Sequence, residues 1–230
     1  RYGQTSAGKT MIEIFSISFS GFSHTDIPTI ELIKTVNDCK DGSRVRTCAI
    51  SLPVSSLTSA STAIRCANLI VKKLIEMQGV NLAGDPVPIN IVGVSESCGV
   101  IRFILNSTIN VPINAVLVSA CFDRARTPFG GPFSISTPIS SETPLRPTPP
   151  WFDWRRAQVD NRHHLLVCHG TQDLNPSTPF LDAWGFFLRT ASEQEDVTLI
   201  QVGGLYHGYE CLSADGVYDH VMKWIAEREK

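Results

Sequence analysis

The stretch INIVGVSESCGVI, residues 89–101, carries a short apolar run into a sharp turn and then into a second apolar segment. The run INIVGV has the length and apolar character of a buried strand. A helix is predicted from about residue 98 to residue 106, directly after the turn. Because a buried strand that passes through a tight turn into a helix is the basic unit of an α/β sheet, this stretch predicts an α/β fold.

The same alternation of strands and helices continues on both sides. Apolar, β-branched or aromatic runs predict further strands at residues 11–19, 44–52, 114–120, 164–170 and 197–202. Helical spacing of apolar residues predicts helices at residues 58–78, 179–190 and 216–228. Strands that are apolar on both faces and alternate with helices form mainly parallel sheets covered on both sides. We therefore predict a single domain over residues 1–230, with a doubly wound, mainly parallel sheet flanked by helices.

One segment, residues 122–160, interrupts this alternation. It is rich in proline and contains the aromatic residues Trp151, Phe152 and Trp154 near its end. Proline at this density excludes a central strand or a long helix. Two interpretations stay open: an irregular surface excursion, or a lid or pocket wall, since long loops in compact domains are often functional.

The turn after residue 94 contains two serines, Ser95 and Ser97, in the strand–turn–helix setting that a nucleophilic serine requires. A serine at such a sharp turn needs small residues two positions before and two positions after it. Ser95 has Gly93 and Ser97 at those positions, and Ser97 has Ser95 and Gly99. Each choice replaces one expected glycine by serine. An ordinary serine in a strand–helix turn is the plain alternative to both.

A serine is a weak nucleophile and needs a base that a third group orients. The strand-like run LLVCHG leads into a loop with Asp173, and VTLIQV leads into a glycine-rich loop with His207. Alone, each would be read as an ordinary loop residue. The carboxyl ends of parallel strands share one edge of a sheet, and ligands bind at that edge. The order Ser, Asp, His at successive strand ends therefore predicts a catalytic triad.

From about residue 10 to its end, the chain resembles an α/β-hydrolase of the esterase or lipase kind. HGTQD resembles the His-Gly-x-x-Asp acid loop of that family, and YHGY resembles its base loop. The segment INIVGVS, preceded by GDP, resembles the strand before the nucleophile in many hydrolases and favours Ser95. The segment SESCG resembles the Gly-Glu-Ser-Ala-Gly motif of some carboxylesterases, so Ser97 is the alternative nucleophile. The resemblance implies that Asp173 orients His207 and that His169 is structural.

The oxyanion segment departs from the family pattern. The family often has His-Gly-Gly-Gly or His-Gly-Phe after an early strand, and this chain has Ser20-Gly21-Phe22 there. The donors of an oxyanion hole are backbone N–H groups, so serine in place of histidine is compatible with the function. The resemblance implies the N–H groups of Phe22 and Glu96 as the two donors.

The favoured function is hydrolysis of a carboxylic ester or thioester through an acyl-serine intermediate, with no metal and no cofactor. The same triad also cleaves amides, so the bond class stays open. The predicted substrate is a small molecule with an apolar acyl or alcohol group, and the candidate pocket residues are Gly21, Trp151, Phe152 and Trp154. The alternative is a weak or inactive hydrolase fold that binds a small molecule or a protein, because the turn and the oxyanion segment are both imperfect.

Composition and short motifs bear on other functions and on the location of the protein. The net charge of −2 gives no reason to expect a nucleic-acid partner, and no apolar run has the roughly 18 residues of a membrane span. The odd number of cysteines, without zinc-like spacing, favours a reduced, cytoplasmic protein. Secretion stays open because the chain begins with Arg1 rather than Met. GQTSAGKT, residues 3–10, spells a phosphate-binding loop, but a strand is predicted after it where such a loop needs a helix.

Overall fold

The computed structural model describes residues 11–19, 29–38, 44–52, 59–78, 86–107, 110–120, 154, 159–173, 180–193 and 196–229. The strands in these ranges are β1 (Met11–Phe19), β2 (Thr29–Asp38), β3 (Arg44–Leu52), β4 (Ile89–Val94), β5 (Ile113–Val118), β6 (His164–Gly170) and β7 (Val197–Val202). The helices are α1 (Ala60–Met77), α2 (Cys98–Leu105), α3 (Phe180–Glu193), α4 (Glu210–Ser213) and α5 (Val217–Arg228). A 3₁₀ turn spans Ser95–Ser97.

All of these strands form one sheet, in the order β2-β3-β1-β4-β5-β6-β7. Every neighbouring pair from β3 to β7 is parallel, and β2 pairs antiparallel with β3 at one edge. In the centre, Val92 of β4 lies opposite Val116 of β5. Because β4 is the middle strand, the serine turn that follows it lies at the middle of the carboxyl edge.

Helices cover both faces of the sheet. On the first face, α1, α2 and α3 pack on the strands around a core that includes Ile91, Ile101 and Phe186. On the second face, α4 and α5 pack around a core that includes Val92 and Ile225. Successive residues of a strand point to opposite faces, so β4 is buried on both sides. This burial explains why its sequence is an almost unbroken apolar run.

The predicted doubly wound, mainly parallel sheet is confirmed. The predicted strands and helices are all present, with bounds that agree within three residues. The edge strand β2 is an addition that the sequence did not predict. Its sequence TIELIKTVND mixes charged and apolar residues, and its pairing with β3 shifts register between Leu32 and Val36. A strand with an irregular register at a sheet edge has no clean alternation by which to recognise it.

The described cysteines are buried thiols, as expected for small apolar core residues: Cys48, Cys66, Cys98, Cys168 and Cys211. Within the described ranges, no helix combines the length and the apolar character needed to cross a membrane.

Most of the proline-rich segment 122–160 lies outside the described residues, as does the whole of GQTSAGKT. Trp154 is described, and its side chain is fully buried. Its ring packs edge-on against Phe186 of α3, with centroids 5.4 Å apart and planes at 81°. Arg189 donates a hydrogen bond of 2.9 Å to the Trp154 carbonyl. The sequence analysis named Trp154 as a candidate pocket residue. In the structure it occupies a core position beside α3, and we propose no substrate contact for it.

Candidate active site

The carboxyl edge of the sheet carries the candidate catalytic residues. Ser95 directly follows β4, Asp173 lies three residues after β6, and His207 lies five residues after β7. These strands are parallel members of one sheet, so their carboxyl ends lie along the same edge. The residues that the sequence predicted as acid and base therefore lie at the same edge as the serine turn.

Ser95 occupies a strained position. Its φ is +54°, in the left-handed region that residues other than glycine rarely adopt. The turn is tight because α2 begins at Cys98, four residues after the end of β4. A Cβ atom on Gly93 would lie 2.3 Å from Cδ1 of the fully buried Ile101, so a larger residue two positions before Ser95 would force that side chain to shift within the core. Backbone strain of this kind costs about 1–3 kcal/mol and concentrates at functional sites.

Ser97 is fully buried, and its hydroxyl is engaged by the backbone. The Val94 N–H donates to Ser97 Oγ at 2.8 Å. The same Oγ lies 2.8 Å from the carbonyl oxygen of Ile17 and 2.7 Å from that of Val94. These contacts tie the serine turn to the neighbouring strand β1. Ser95, in contrast, is only half-buried.

Asp173 and His207 form a hydrogen-bonded pair. His207 Nδ1 lies 2.8 Å from Asp173 Oδ2, and the carboxylate side chain is 1% exposed while the imidazole side chain is 33% exposed. The hydrogen bond to Asp173 raises the pKa of His207 above its ordinary value, although partial burial opposes the shift. Because Asp173 holds Nδ1, the opposite nitrogen Nε2 is the one that can accept a proton.

The loop that carries Asp173 is hydrogen-bonded to the loop that carries His207. We call the first the acid loop and the second the base loop. The Gln172 N–H donates to the Gly204 carbonyl at 2.9 Å. A Cβ atom on Gly170 would lie 2.2 Å from the carbonyl oxygen of Tyr206, the residue before His207. Only glycine permits this close approach of two backbones. The glycine of the HGTQD motif therefore has a steric role in holding the base loop against β6.

His169 is a second imidazole near the same carboxylate. Its Nε2 lies 3.6 Å from Asp173 Oδ2, beyond normal hydrogen-bond distance, and its side chain is completely buried. Its ring packs beside Phe180, with centroids 6.2 Å apart. Because the His169 ring has no exposed surface, it packs against the Asp173 carboxylate and is not placed to contact a substrate.

The base loop extends from the end of β7 back toward the serine turn. A Cβ atom on Gly208 would lie 3.4 Å from Cγ1 of Val94, so the residue after His207 lies close to the last residue of β4. The Gly208 N–H also donates to Ser119 Oγ, at the end of β5, at 2.8 Å. These contacts carry the base loop across the ends of β5 and β4 and bring it beside the turn that contains Ser95.

The predicted oxyanion and pocket residues are only partly described. Glu96 lies inside the 3₁₀ turn, immediately after Ser95 and before the first residue of α2. The other predicted residues lie outside the described ranges: Gly21, Phe22, Trp151 and Phe152. In the part of the chain that the structure describes, no cluster of histidine, cysteine or acidic side chains could hold a metal ion.

Ser119 is a residue of this edge that the sequence did not single out. It follows β5, is fully buried and binds the backbone next to His207. In the sequence it is one small polar residue at the end of NAVLVSA, and nothing in that run distinguishes it from an ordinary turn residue.

The central parallel sheet, with helices on both faces and a tight serine turn after its middle strand, is the architecture of the α/β-hydrolase fold. The chain has this fold, and its most similar solved structures include an α/β hydrolase from a metagenome of lagoon sediments at Mar Chica, Morocco. That match has a TM-score of 0.57 and 11% identity, and covers 96% of this chain and 94% of the other.

Two esterases are also similar in structure. The esterase from Thermogutta terrifontis matches with a TM-score of 0.53 and 14% identity, over 95% of this chain and 80% of that chain. Carboxyl esterase 2 from Tuber melanosporum matches with a TM-score of 0.51 and 17% identity, over 82% of this chain and 69% of that chain. No family model and no curated protein sequence matches the chain. At these identities the solved structures establish the fold alone.

Proposed function

We propose that this chain is a serine hydrolase that cleaves a carboxylic ester. Ser95 is the nucleophile, His207 is the general base and acid, and Asp173 orients the imidazole. The observation that carries the proposal is the 2.8 Å hydrogen bond between Asp173 and His207, at the same sheet edge as a serine with a φ of +54°. Two of the similar structures are esterases by name, which supports a small-molecule ester as the substrate.

In the first half of the reaction, Ser95 Oγ attacks the ester carbonyl carbon while His207 Nε2 accepts the hydroxyl proton. The tetrahedral intermediate collapses, the bond to the alcohol oxygen breaks, and His207 returns the proton to the leaving group. In the second half, water attacks the acyl-serine with His207 again as base, and collapse releases the carboxylic acid and restores Ser95. A thioester would react by the same steps, with a thiol as leaving group.

Asp173 keeps its negative charge throughout and stabilises the imidazolium that forms in each half-reaction. The negative charge on the substrate oxygen needs donors of its own. We propose the N–H of Glu96 as one donor, because it belongs to the residue after the nucleophile, and the N–H of Phe22 as the second. Each such donor is worth about 10²–10³ in turnover.

Ser97 is proposed as the support of the turn rather than as a nucleophile. A nucleophile must reach the substrate, but this hydroxyl has no exposed surface and already lies within 2.8 Å of Val94 and Ile17 backbone atoms. Ser95 has the exposure and the strained backbone that the mechanism requires.

A fluorophosphonate probe tests the proposal, because it reacts only with a serine that a base activates. We expect the folded protein to be labelled at Ser95, to hydrolyse a short-chain p-nitrophenyl ester, and to lose both properties after heat denaturation. Fragmentation of the labelled peptide by mass spectrometry distinguishes Ser95 from Ser97. A protein that is folded by circular dichroism but shows no label and no turnover would contradict the proposal and favour a binding function for this fold.

The pH profile of ester hydrolysis gives a second prediction. The neutral form of His207 is the active base, and its pKa is raised by the hydrogen bond to Asp173. Activity is therefore absent at low pH and rises as His207 loses its proton, with half of the maximal kcat/KM reached above about pH 6.5, the ordinary histidine value. We expect this from kcat/KM measured between pH 5 and pH 9. A midpoint clearly below pH 6.5 would contradict the role of the Asp173 hydrogen bond.

A further inference from the structure

Ser119 shares with Ser95 an uncommon backbone conformation. Its φ is +46°, and within the described residues these two are the only ones other than glycine with a positive φ. They follow the adjacent strands β4 and β5. A glycine at position 119 would adopt this φ without strain. The presence of a serine there indicates that its side chain contributes something that glycine could not.

The side chain of Ser119 is hydrogen-bonded to the base loop at Gly208. Ser119 is fully buried, and its N–H donates to the Cys168 carbonyl of β6 at 2.9 Å, which fixes its backbone. Its Oγ accepts the Gly208 N–H at 2.8 Å. Gly208 directly follows His207, and it is itself buried with a φ of +63°. Without Ser119 Oγ, a buried N–H beside the imidazole would lose its acceptor.

A second link reaches the other side of His207. Ser119 Oγ lies 3.4 Å from Cys211 Sγ, and the Cys211 thiol donates to the carbonyl oxygen of Tyr206 at 3.4 Å. Since Ser119 Oγ already accepts the Gly208 N–H, its own proton is available to the sulfur. The chain Gly208–Ser119–Cys211–Tyr206 therefore binds the peptide groups on both sides of His207. We call these four residues the base clamp.

We propose that Ser119 is a positioning residue, which acts through the base clamp to hold the imidazole of His207 between Asp173 and Ser95. The assignment rests on the proposed function, because a base needs such fixed placement only if it serves a nucleophile. A shift of the imidazole by about 1 Å can cost up to a hundredfold in rate. Ser119 does not touch the reacting atoms, so its effect is on turnover rather than on substrate affinity.

Two replacements of Ser119 separate the side-chain hydroxyl from the backbone strain. Ser119→Ala and Ser119→Gly both remove the acceptor of the Gly208 N–H, but only glycine relieves the strain at φ +46°. We expect kcat to fall about 10- to 100-fold in both variants with KM within twofold of wild type, while Ser119→Gly melts at a higher temperature than Ser119→Ala. Ser107→Ala, which removes a hydroxyl that donates to the Ile104 carbonyl after α2, is the matched control and should leave kcat unchanged.

The titration of His207 tests the clamp without relying on activity. The charged or titratable groups that face this imidazole are Asp173 from the acid loop and Glu210 and Cys211 from α4. Asp173 and Glu210 do not change in the Ser119 variants, but loss of the hydroxyl also removes a hydrogen bond that lowers the pKa of Cys211. The His207 pKa is therefore measured, by NMR of the imidazole protons, in the Ser119 variants both with Cys211 present and with Cys211→Ala, and a fall in both backgrounds reports a weaker Asp173–His207 bond. We expect this fall in both Ser119 variants and not in Ser107→Ala.

The proposed role of Ser119 is wrong if folded Ser119 variants keep both the wild-type His207 pKa and the wild-type kcat. It is also wrong if kcat falls in proportion to the melting temperature while the His207 pKa stays constant. If the wild type shows neither fluorophosphonate labelling nor turnover, the proposed function fails, and the His207 titration alone decides the clamp. If both Ser119 variants fail to fold, two Cys211 variants test the base clamp instead. Cys211→Ala should lower kcat about tenfold, and Cys211→Ser, which keeps a hydrogen-bonding group, should have a kcat near that of the wild type. Equal kcat in the two Cys211 variants would overturn the proposal.

Discussion

Replacement of Ser95 by alanine should abolish ester hydrolysis, with kcat lower by about 10⁴- to 10⁶-fold. In the proposed mechanism, alanine removes the oxygen atom that forms the acyl intermediate and leaves the Asp173–His207 pair in place. The effect should fall on kcat, while KM changes little, because ground-state contacts with the substrate are not removed. Steady-state kinetics with a short-chain p-nitrophenyl ester measure it, and fluorophosphonate labelling should disappear in the same variant.

The matched control for this variant is Ser97→Ala, which removes a hydroxyl two residues away. Because Ser97 Oγ accepts the Val94 N–H and binds the Ile17 carbonyl, its loss should lower the free energy of unfolding by about 1–3 kcal/mol. The protein should still be labelled and should still turn over ester. The opposite pattern, in which Ser97→Ala is inactive and Ser95→Ala retains activity, would show that the nucleophile is Ser97.

The contrast between these two serines shows where sequence reasoning stops. Both have one glycine and one serine at the positions that must be small, so sequence spacing fits either of them. The difference lies in the backbone angle and in burial: Ser95 has a φ of +54° and is partly exposed, whereas Ser97 is buried with its hydroxyl bound to β1. Both properties depend on how β4 and α2 pack, and a one-dimensional motif does not contain them.

The sheet itself was predictable because its central strands are buried on both faces. Such strands appear as continuous apolar runs, and the helices between them repeat at regular intervals. The shared position of Asp173 and His207 was predictable for a related reason, since residues that follow parallel strands lie along one edge. The edge strand β2 carries neither signal, because it is antiparallel and its register with β3 is interrupted.

Ser119 was not predictable for a different reason. Its proposed role depends on a hydrogen bond to Gly208, a residue 89 positions away in the chain. A serine at the end of an apolar strand is common, and its positive φ is visible only in the folded chain. The proposed catalytic residues follow predicted strands in a recognisable order, whereas the proposed positioning residue has no such pattern in the sequence.

Replacement of Asp173 by asparagine should have the second-largest effect on activity. The amide is close in size to the carboxylate but has no charge, so the imidazolium that forms in each half-reaction loses its stabilisation. An amide can also hold the imidazole in the wrong tautomer, and replacements of this kind in a triad cost about 10⁴ in kcat. Since Asp173 is 1% exposed, solvent cannot substitute for the missing charge.

The same replacement should also move the pH profile of whatever activity remains. The pKa of His207 is raised chiefly by its hydrogen bond to Asp173, so the midpoint of kcat/KM should shift to lower pH in Asp173→Asn. His169→Asn is the control, because His169 lies 3.6 Å from the same carboxylate oxygen and is not expected to take part in proton transfer. A large loss of kcat in His169→Asn with only a small loss in Asp173→Asn would reassign the acid–base pair. The predicted order, with Asp173 far more sensitive than His169, follows from the 2.8 Å hydrogen bond between the carboxylate and His207.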